Sequence, residues 1–268
     1  MEIELSNIKY KNRLNDFNCK FDGNCVTSII GKSGSGKSLI GYIIMDLVNR
    51  DGGSISVDGV LNYDKDKFMK DVGYVFQNPF DHFFCKTVRE EIAFGLKQFR
   101  FKLNKINIQI SESLKMVGLD DSFLERKLNT LSSGEACMVA IASSLVLNPK
   151  VLILDEPTVY LDNNLKNKLI KLIKMLRDKY HKSVILMSND VDFVYSVSDK
   201  YILIDSYQII RSGDIEEVMS NNKLLESYGY EIPYINQFVQ LVRDKKNVML
   251  NYTNDIDKLV MDVISNER

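Results

Sequence analysis

GKSGSGKS, at residues 31–38, fits two different interpretations. Runs of glycine and serine are typical of flexible linkers. The same letters match Gly-x-x-x-x-Gly-Lys-Ser, a loop whose backbone N–H groups surround a nucleotide phosphate. The flanking residues decide between them, because residues 25–30 form a short β-rich apolar run and residues 39–48 carry apolar residues at helical spacing. A strand, a glycine loop and a helix direct several unpaired N–H groups at one anion, so a nucleotide site is predicted.

Each residue type in this loop suits phosphate binding. Glycines let the backbone curve close to the phosphates, Lys37 supplies a positive charge for the β and γ phosphates, and the Ser38 hydroxyl is a ligand for Mg²⁺. The whole loop is therefore predicted to hold the nucleotide: Gly31, Lys32, Ser33, Gly34, Ser35, Gly36, Lys37 and Ser38.

The composition limits the class of protein. The chain has 268 residues, of which 45% are hydrophobic and 26% charged, as in globular proteins with a real core. A net charge of −1 gives no case for a nucleic-acid partner. No stretch is apolar enough to span a bilayer and the N-terminus has no signal-peptide pattern, so a cytosolic chain with reduced thiols is expected. His82 and Cys85 lie close together but are too few for a metal site.

A second stretch supplies the acidic groups that phosphoryl transfer needs. The run Val151-Leu-Ile-Leu-Asp155-Glu156 predicts a buried strand that ends in two carboxylates. We expect Asp155 to support Mg²⁺ and Glu156 to polarise the attacking water. The motif is weak alone, since many strands end in acidic residues, and strong together with the glycine loop.

The segment Thr130-Leu-Ser-Ser-Gly-Glu135 precedes a helical run over residues 136–147. Ser132 and Glu135 have the spacing of a capping box, which only starts a helix. The segment also resembles the signature motif of ATP-binding-cassette (ABC) ATPases, usually Leu-Ser-Gly-Gly-Gln, and stands at that family's usual distance before the acidic strand. Both interpretations are compatible, because a capped helix N-terminus can also sense a γ-phosphate.

The resemblance implies an α/β fold: a P-loop NTPase cassette with a mixed sheet core, a helical subdomain and an antiparallel β part. Residues 73–77 look like the strand that leads into the glutamine loop, so Gln77 would contact Mg²⁺. Leu161-Asp162 resembles the D-loop, which crosses to the other subunit. Tyr10 is either the aromatic residue that stacks on adenine or an ordinary packed tyrosine.

The resemblance also implies a working arrangement, in which two subunits sandwich two ATP molecules. Ser132, Ser133 and Gly134 would then act on a nucleotide bound to the partner chain. The metal ligands implied are Ser38, Gln77 and Asp155, and the catalytic residues are Glu156, Gln77 and Asn189. The cassette is expected over residues 1–218, with its helical subdomain at about 78–148, and a helical extension over 219–268.

A closer likeness comes from residues 76–81 and 87–95, FQNPFD and TVREEIAFG. These resemble the ATPases of energy-coupling-factor (ECF) transporters, which take up vitamins and transition-metal ions. There, this region forms a groove for a coupling helix of the membrane subunit, with Phe80, Phe83 and Phe84 as groove walls or simply core. The implied partners are a second ABC ATPase, an integral membrane subunit and a substrate-binding membrane component. The implied location is peripheral, on the cytoplasmic face of the cell membrane.

The tail contains two predicted helices, one from near Asn236 to about Arg243 and one that starts near Asn254 or Asp255. The second helix carries apolar residues at i, i+3, i+4, i+7 and i+8: Ile256, Leu259, Val260, Val263 and Ile264. Packing on the chain's own cassette and pairing with a sister subunit are both physically reasonable. Similar tails in ECF-type ATPases hold the two ATPases together, which favours pairing.

One residue departs from the family pattern. In ABC ATPases a switch histidine normally precedes the aspartate at this position, and here Asn189 stands before Asp190. The asparagine amide can still donate a hydrogen bond, so ATP binding should persist, but it cannot become a cation. We therefore expect a heterodimer in which ATP on this chain is hydrolysed slowly and ATP on the partner faster. The retained Glu156 argues against complete inactivity.

Two alternatives remain open from sequence. One is a soluble ABC ATPase that acts on nucleic acid or ribosomes, which is disfavoured by the single cassette, the lack of a long coiled-coil insertion and the lack of basic excess. The other is a regulatory subunit that binds nucleotide without hydrolysing it, which Asn189 allows. The sequence does not name the transported molecule.

Overall fold

The computed structural model describes residues 1–246, 250 and 256–266. Its strands are β1 (Ile3–Tyr10), β2 (Leu14–Phe21), β3 (Val26–Ile30), β4 (Gly52–Val57), β5 (Val72–Val75), β6 (Val151–Asp155), β7 (Ser183–Ser188), β8 (Lys200–Asp205) and β9 (Gln208–Asp214). Its α-helices are α1 (Lys37–Ile44), α2 (Lys65–Asp71), α3 (Val88–Gln98), α4 (Leu103–Met116), α5 (Ser133–Leu145), α6 (Asn163–Asp178), α7 (Val191–Val197), α8 (Ile215–Ser220), α9 (Asn222–Ser227), α10 (Tyr234–Lys246) and α11 (Ile256–Asn266).

The larger sheet has the order β5-β6-β7-β3-β8-β9 and is parallel except for β9. Its central strands β3, β6 and β7 are buried along their whole length, which suits their Val, Ile and Leu content. Ile30 lies opposite Ser188, and Asp155 lies opposite Met187. The carboxyl ends of the three strands therefore meet at one edge, where the residues after each strand can form a site.

The smaller sheet is antiparallel, with the order β2-β1-β4. Ile3, Leu5 and Ile8 of β1 are buried in a cluster that also contains Ile29 of β3 and Ile40 of α1. This sheet thus covers one side of the glycine-loop helix. The predicted α/β architecture, a mixed sheet with helices and an antiparallel β part, is confirmed.

The helix after the glycine loop is shorter than its apolar pattern predicts. The pattern extends to Val48, but α1 ends at Ile44. Asp46 adopts a left-handed conformation with φ of 56°, which a continuing helix does not allow. Leu47 consequently leaves the helical face and is 52% exposed.

The tail forms a small apolar cluster of its own, made by Val239, Leu250 and Leu259. Val263 packs against this cluster, while Val260 and Ile264 are half exposed, so the predicted stripe on α11 is divided between two environments. The start predicted near Asn254 or Asp255 lies outside the described residues. Among the described helices, none combines the length and apolar character needed to span a membrane.

Candidate nucleotide site

The glycine loop is packed too closely for side chains at two of its glycines. A Cβ on Gly31 would lie 2.8 Å from Cγ1 of Ile204, and a Cβ on Gly36 would lie 2.6 Å from Cδ1 of Tyr207. Gly36 also has φ of 109°, a conformation that residues with a side chain rarely adopt, and it caps the start of α1. The loop therefore has no room for a side chain at these two positions, where it leads into the N-terminus of α1.

Lys37 is the buried charge of the loop, with 5% of its surface exposed. Its Nζ lies 2.9 Å from Oε1 of Glu156 and donates hydrogen bonds to the carbonyl oxygens of Gly31 and, at 3.2 Å, of Lys32. Because the ammonium is held in place by three acceptors, it is already directed toward the interior of the loop. A phosphate at this point would take the place of carboxylate and carbonyl contacts.

Asp155 ends β6 and is 1% exposed. Its Oδ2 accepts a hydrogen bond of 3.1 Å from the Tyr74 hydroxyl, whereas Oδ1 is buried without a hydrogen-bond partner. Burial raises the pKa of this carboxyl group, and the neighbouring hydroxyls of Ser38 and Tyr74 act in the opposite direction. A buried carboxylate oxygen without a partner, beside the Ser38 hydroxyl, fits the donor set that Mg²⁺ prefers.

Glu156 follows β6 in a left-handed conformation, with φ of 45°. Its N–H donates to the Met187 carbonyl at 2.8 Å, and its Oε2 accepts from the backbone N–H of Asn189 at 3.1 Å. The structure therefore brings Lys37, Glu156 and the backbone of Asn189 into one hydrogen-bonded group. The side chain of Asn189 is exposed at the end of β7.

The other residues predicted on this side take separate positions. Gln77 is exposed just beyond β5, which pairs with β6 and ends at the same sheet edge. Tyr10, at the end of β1, is half-buried against the core that includes Ile40, and the Lys11 ammonium lies 5.1 Å from its ring centre. Stacking of Tyr10 on adenine stays a prediction.

The signature segment forms the predicted capping box. Ser132 Oγ accepts from the Glu135 N–H at 3.2 Å, and Glu135 Oε2 accepts from the Ser132 N–H at 2.9 Å. Arg126 also donates to both oxygens of Glu135, at 2.9 and 3.1 Å. This bidentate pair lowers the pKa of Glu135. It also explains why a glutamate can stand where the family motif usually has glutamine, because only a carboxylate forms an ion pair with Arg126.

The start of α5 is pinned to the start of α6. A Cβ on Gly134 would lie 2.7 Å from Cδ1 of Leu165 and 3.1 Å from the Tyr160 carbonyl oxygen, so no side chain fits there. Asp162 caps α6 by accepting from the Leu165 N–H at 2.8 Å. Ser132 and Asp162 are both exposed, so each side chain is accessible to another molecule.

Two tyrosines belong to the site although no sequence motif indicated them. The Tyr207 N–H donates to the Ser35 carbonyl at 2.9 Å, and its ring closes the space above Gly36. Tyr74 lies within the glutamine-loop strand, but only the pairing of β5 with β6 places its hydroxyl on Asp155. Neither contact has a local signal, because the partners lie far apart in the chain.

His82, after the glutamine loop, is a largely buried neutral group. Its Nε2 lies 2.8 Å from Ser143 Oγ, and the Phe76 ring centre lies 6.1 Å away. Burial lowers the pKa of His82 from 6.5 to about 4. The residue thus ties the glutamine-loop region to α5.

We expect the free energy of unfolding to fall as the pH drops from 6.5 to about 4. In this window the unfolded chain protonates His82 while the folded chain keeps it neutral, so acid favours unfolding. The contribution of His82 to the free energy of unfolding changes by up to about 1.4 kcal/mol per pH unit in this window. His82→Gln keeps a partner for Ser143 and removes the titration, so urea unfolding between pH 7.5 and 4.5 should show a shallower pH slope for the variant. Equal pH slopes for the variant and wild type would show that His82 does not cause the loss of stability in acid.

The fold and this arrangement define a P-loop nucleotide-binding cassette, and comparisons with known proteins agree. The family model described as ABC transporter matches residues 14–159. The energy-coupling factor transporter ATP-binding protein EcfA1 of Mycoplasma mobile is 34% identical, over 97% of this chain and 96% of that protein. The corresponding EcfA2 of Clostridium perfringens is 32% identical, over 96% of this chain and 94% of that protein.

Solved structures give the same result. CbiO1 of Clostridium perfringens, part of an ABC transporter complex, superposes with a TM-score of 0.74 and 26% identity, covering 89% of this chain and 98% of that one. A dimeric ATP-binding cassette in a post-hydrolysis state with ADP and Pi gives a TM-score of 0.72 at 28% identity, covering 80% and 98%. The chain therefore belongs to the ABC transporter ATP-binding family, and within it to the energy-coupling factor transporter ATP-binding proteins. As such it is an ABC-type ATPase.

Proposed function

We propose that this chain binds MgATP in its glycine loop and, together with a second ABC ATPase, drives an ECF-type importer of a vitamin or a transition-metal ion. The observation that carries the proposal is the buried group in which Lys37, Glu156 and the Asn189 backbone meet beside Asp155. The structure contributes a glycine loop with a buried cation and two adjacent carboxylates, which are the groups that phosphoryl transfer needs.

The roles of the site residues follow from these contacts. Ser38, Asp155 and Gln77 would hold Mg²⁺, which would neutralise charge on the β and γ phosphates. When a phosphate binds, Lys37 would leave Glu156 for the phosphate oxygens. Glu156 would then be free to accept a proton from the attacking water. The N–H of Asn189 would hold the Glu156 carboxylate in place during this step. Tyr10 would stack on the adenine.

The exposed start of α5 would complete the partner's site. Ser132, Ser133 and Gly134 would contact ATP bound to the partner, with Asp162 crossing the interface beside them, and the contact between Gly134 and Leu165 supports their acting together. We favour a heterodimer in which the site on this chain is the slower one. The reason is Asn189, which offers an amide where the family normally has a titratable imidazole.

The division of labour along the chain is part of the proposal. Residues 1–218 would form the cassette, with the helices of residues 78–148 as its signature subdomain. Residues 219–268 would form the extension that pairs the two ATPases. Support comes from the exposed apolar side chains of Leu241 on α10 and Met261 on α11, at 51% and 68% exposure.

A cluster of aromatic side chains next to the glutamine loop supports a membrane-subunit partner. Phe84 is 77% exposed and stacks on Phe94 with ring centres 6.0 Å apart, and Phe80 is also exposed. Phe83 is more buried and packs against the main core, so it supports the cluster from below. Such an exposed apolar cluster suits a coupling helix of an integral membrane subunit and a peripheral position at the cytoplasmic face.

We expect Phe84→Ser to weaken binding to the membrane subunit by at least about tenfold, because truncating a central aromatic anchor commonly costs 2 kcal/mol or more. Affinity for MgATP should stay unchanged. The matched control is Leu61→Ser, which removes another exposed apolar side chain from the loop after β4. Co-purification yield from detergent extract measures the effect. Equal yields for Phe84→Ser and wild type would show that the aromatic cluster does not contact the membrane subunit.

The function as a whole is tested by isolating the full chain from detergent extract with its native neighbours. We expect an integral membrane protein, a second ATPase and MgATP hydrolysis in the preparation. Bound nucleic acid without a membrane protein would favour the soluble alternative. A single-turnover assay on this chain's site separates slow hydrolysis from pure nucleotide binding.

A further inference from the structure

The segment of residues 228–236 connects α9 to the first turn of α10. Two hydrogen bonds tie it to helix α7, and a third ties it to α9. The Tyr234 N–H donates to Asp192 Oδ1 at 3.0 Å, and the Tyr195 hydroxyl donates to Asn236 Oδ1 at 3.2 Å. Asn236 in turn donates to Asn222 Oδ1 at 2.5 Å. Asn236 is fully buried and Tyr195 nearly so. A buried amide is costly to leave unpaired, so this network fixes the position of the segment on α7.

The other end of the same connecting segment reaches the glycine loop. Gly229 has φ of 71°, and a Cβ there would lie 2.6 Å from Nζ of Lys32. Tyr230 packs against the main core, and burial together with the carboxylates of Asp205 and Glu156 raises the pKa of its hydroxyl. The connecting segment therefore touches the phosphate loop and lies within the electric field of the candidate base.

Helix α7 is joined directly to that base. Asp190 caps α7 and immediately follows Asn189, whose backbone N–H donates to Glu156 at 3.1 Å. Asp190 also pairs with Lys166 of α6 at 2.5 Å. A displacement of α7 must therefore move the N–H that holds the Glu156 carboxylate.

We propose that the connecting segment 228–236 is a positioning element for ATP hydrolysis, which holds α7 against the nucleotide site and so sets the position of Asn189 and Glu156. The proposal rests on the proposed function, since it concerns the rate of that reaction. Pairing of two subunits does not account for these contacts, because Asn236 is fully buried while the apolar side chains available for pairing are exposed. The segment acts through α7 and contacts no reacting atom.

The test replaces Asn236 by leucine, which has the same branched side-chain skeleton and cannot hydrogen-bond to Tyr195 or Asn222. In the assembled complex, with the partner's own site silenced, we expect kcat to fall about tenfold, since one buried hydrogen-bond network of this kind is typically worth that factor. KM for MgATP should stay within about twofold, because no group that touches ATP is removed. The matched control is Gln240→Leu, which changes an exposed amide on the same helix and should leave both constants unchanged.

A second measurement does not depend on turnover. Amide hydrogen exchange in the full chain should be faster at Asn189 in Asn236→Leu than in wild type, by about tenfold, while amides of β1 stay unchanged. Because exchange needs no ATP, it decides the proposal even if wild type shows no hydrolysis, which would be a failure of the proposed function alone. If Asn236→Leu does not fold, Tyr195→Phe removes a single O–H donor and should show the same changes at about threefold. Unchanged kcat and unchanged exchange, or a rise in KM alone, would overturn the proposal.

Discussion

Replacement of Lys37 by alanine should weaken the binding of MgATP by about 100-fold, since charge-assisted hydrogen bonds to phosphate contribute up to about 3 kcal/mol. The ammonium is nearly buried and is held by Glu156 and two loop carbonyls, so little ordering remains to be done when a phosphate arrives. The loss should therefore fall on affinity. Equilibrium titration with a fluorescent ATP analogue in the presence of magnesium measures it.

The control for this change must separate binding from folding, because Lys37→Ala leaves Glu156 buried without its partner. We expect the double variant Lys37→Ala, Glu156→Gln to regain thermal stability while its affinity for MgATP stays low. Lys179→Ala removes an exposed lysine at the end of α6 and should bind as wild type does. Binding within about threefold of wild type for Lys37→Ala would mean that the loop does not hold the phosphates.

Asn189→His should accelerate hydrolysis of the ATP bound to this chain by about 100-fold, because one well-placed transition-state donor is typically worth 100- to 1000-fold in rate. The Asn189 side chain is exposed, and its link to Glu156 runs through the backbone N–H, so the substitution keeps that bond. The new imidazole can also carry a positive charge, which an amide cannot. Single-turnover hydrolysis in the assembled complex, with the partner's equivalent carboxylate replaced, measures the gain.

Two further variants show whether the histidine acts by its chemistry. Asn189→Gln keeps an amide and should not raise the rate. Glu156→Gln should leave most of the total ATPase activity of the complex in place, since the partner's site is expected to be the faster one. A fall to background in Glu156→Gln would contradict the slow-site hypothesis, and an unchanged total rate would indicate a silent site on this chain.

The parts of the site that could be predicted from sequence are those that depend on adjacent residues. The capping box between Ser132 and Glu135 needs only a spacing of three, and the structure contains both of its hydrogen bonds. Strand β6 matches its predicted run, because a buried parallel strand is a continuous apolar segment and its acidic end is visible in the letters. The positive φ of Gly36 favours glycine, and the glycine-loop motif has a glycine at this position.

The remaining features depend on contacts between distant parts of the chain. The hydroxyl of Tyr74 reaches Asp155 across 81 positions, and Tyr207 covers Gly36 only because β8 lies beside β3. The early end of α1 has no signal in the sequence either, since the apolar periodicity continues past Asp46 although the helical backbone ends at Ile44. Asn236 was placed in sequence only as the start of a helix, and its burial against α7 has no local signal.

The close packing of Gly134 against Leu165 has a consequence for how two bound nucleotides communicate. Leu165 is followed by Lys166, which pairs with Asp190, the residue next to Asn189. The start of α5, which would face the ATP on the partner, is thus linked through two contacts to Asp190, beside the site for this chain's own ATP. We therefore expect ATP hydrolysis at one site of the assembly to change the rate of hydrolysis at the other.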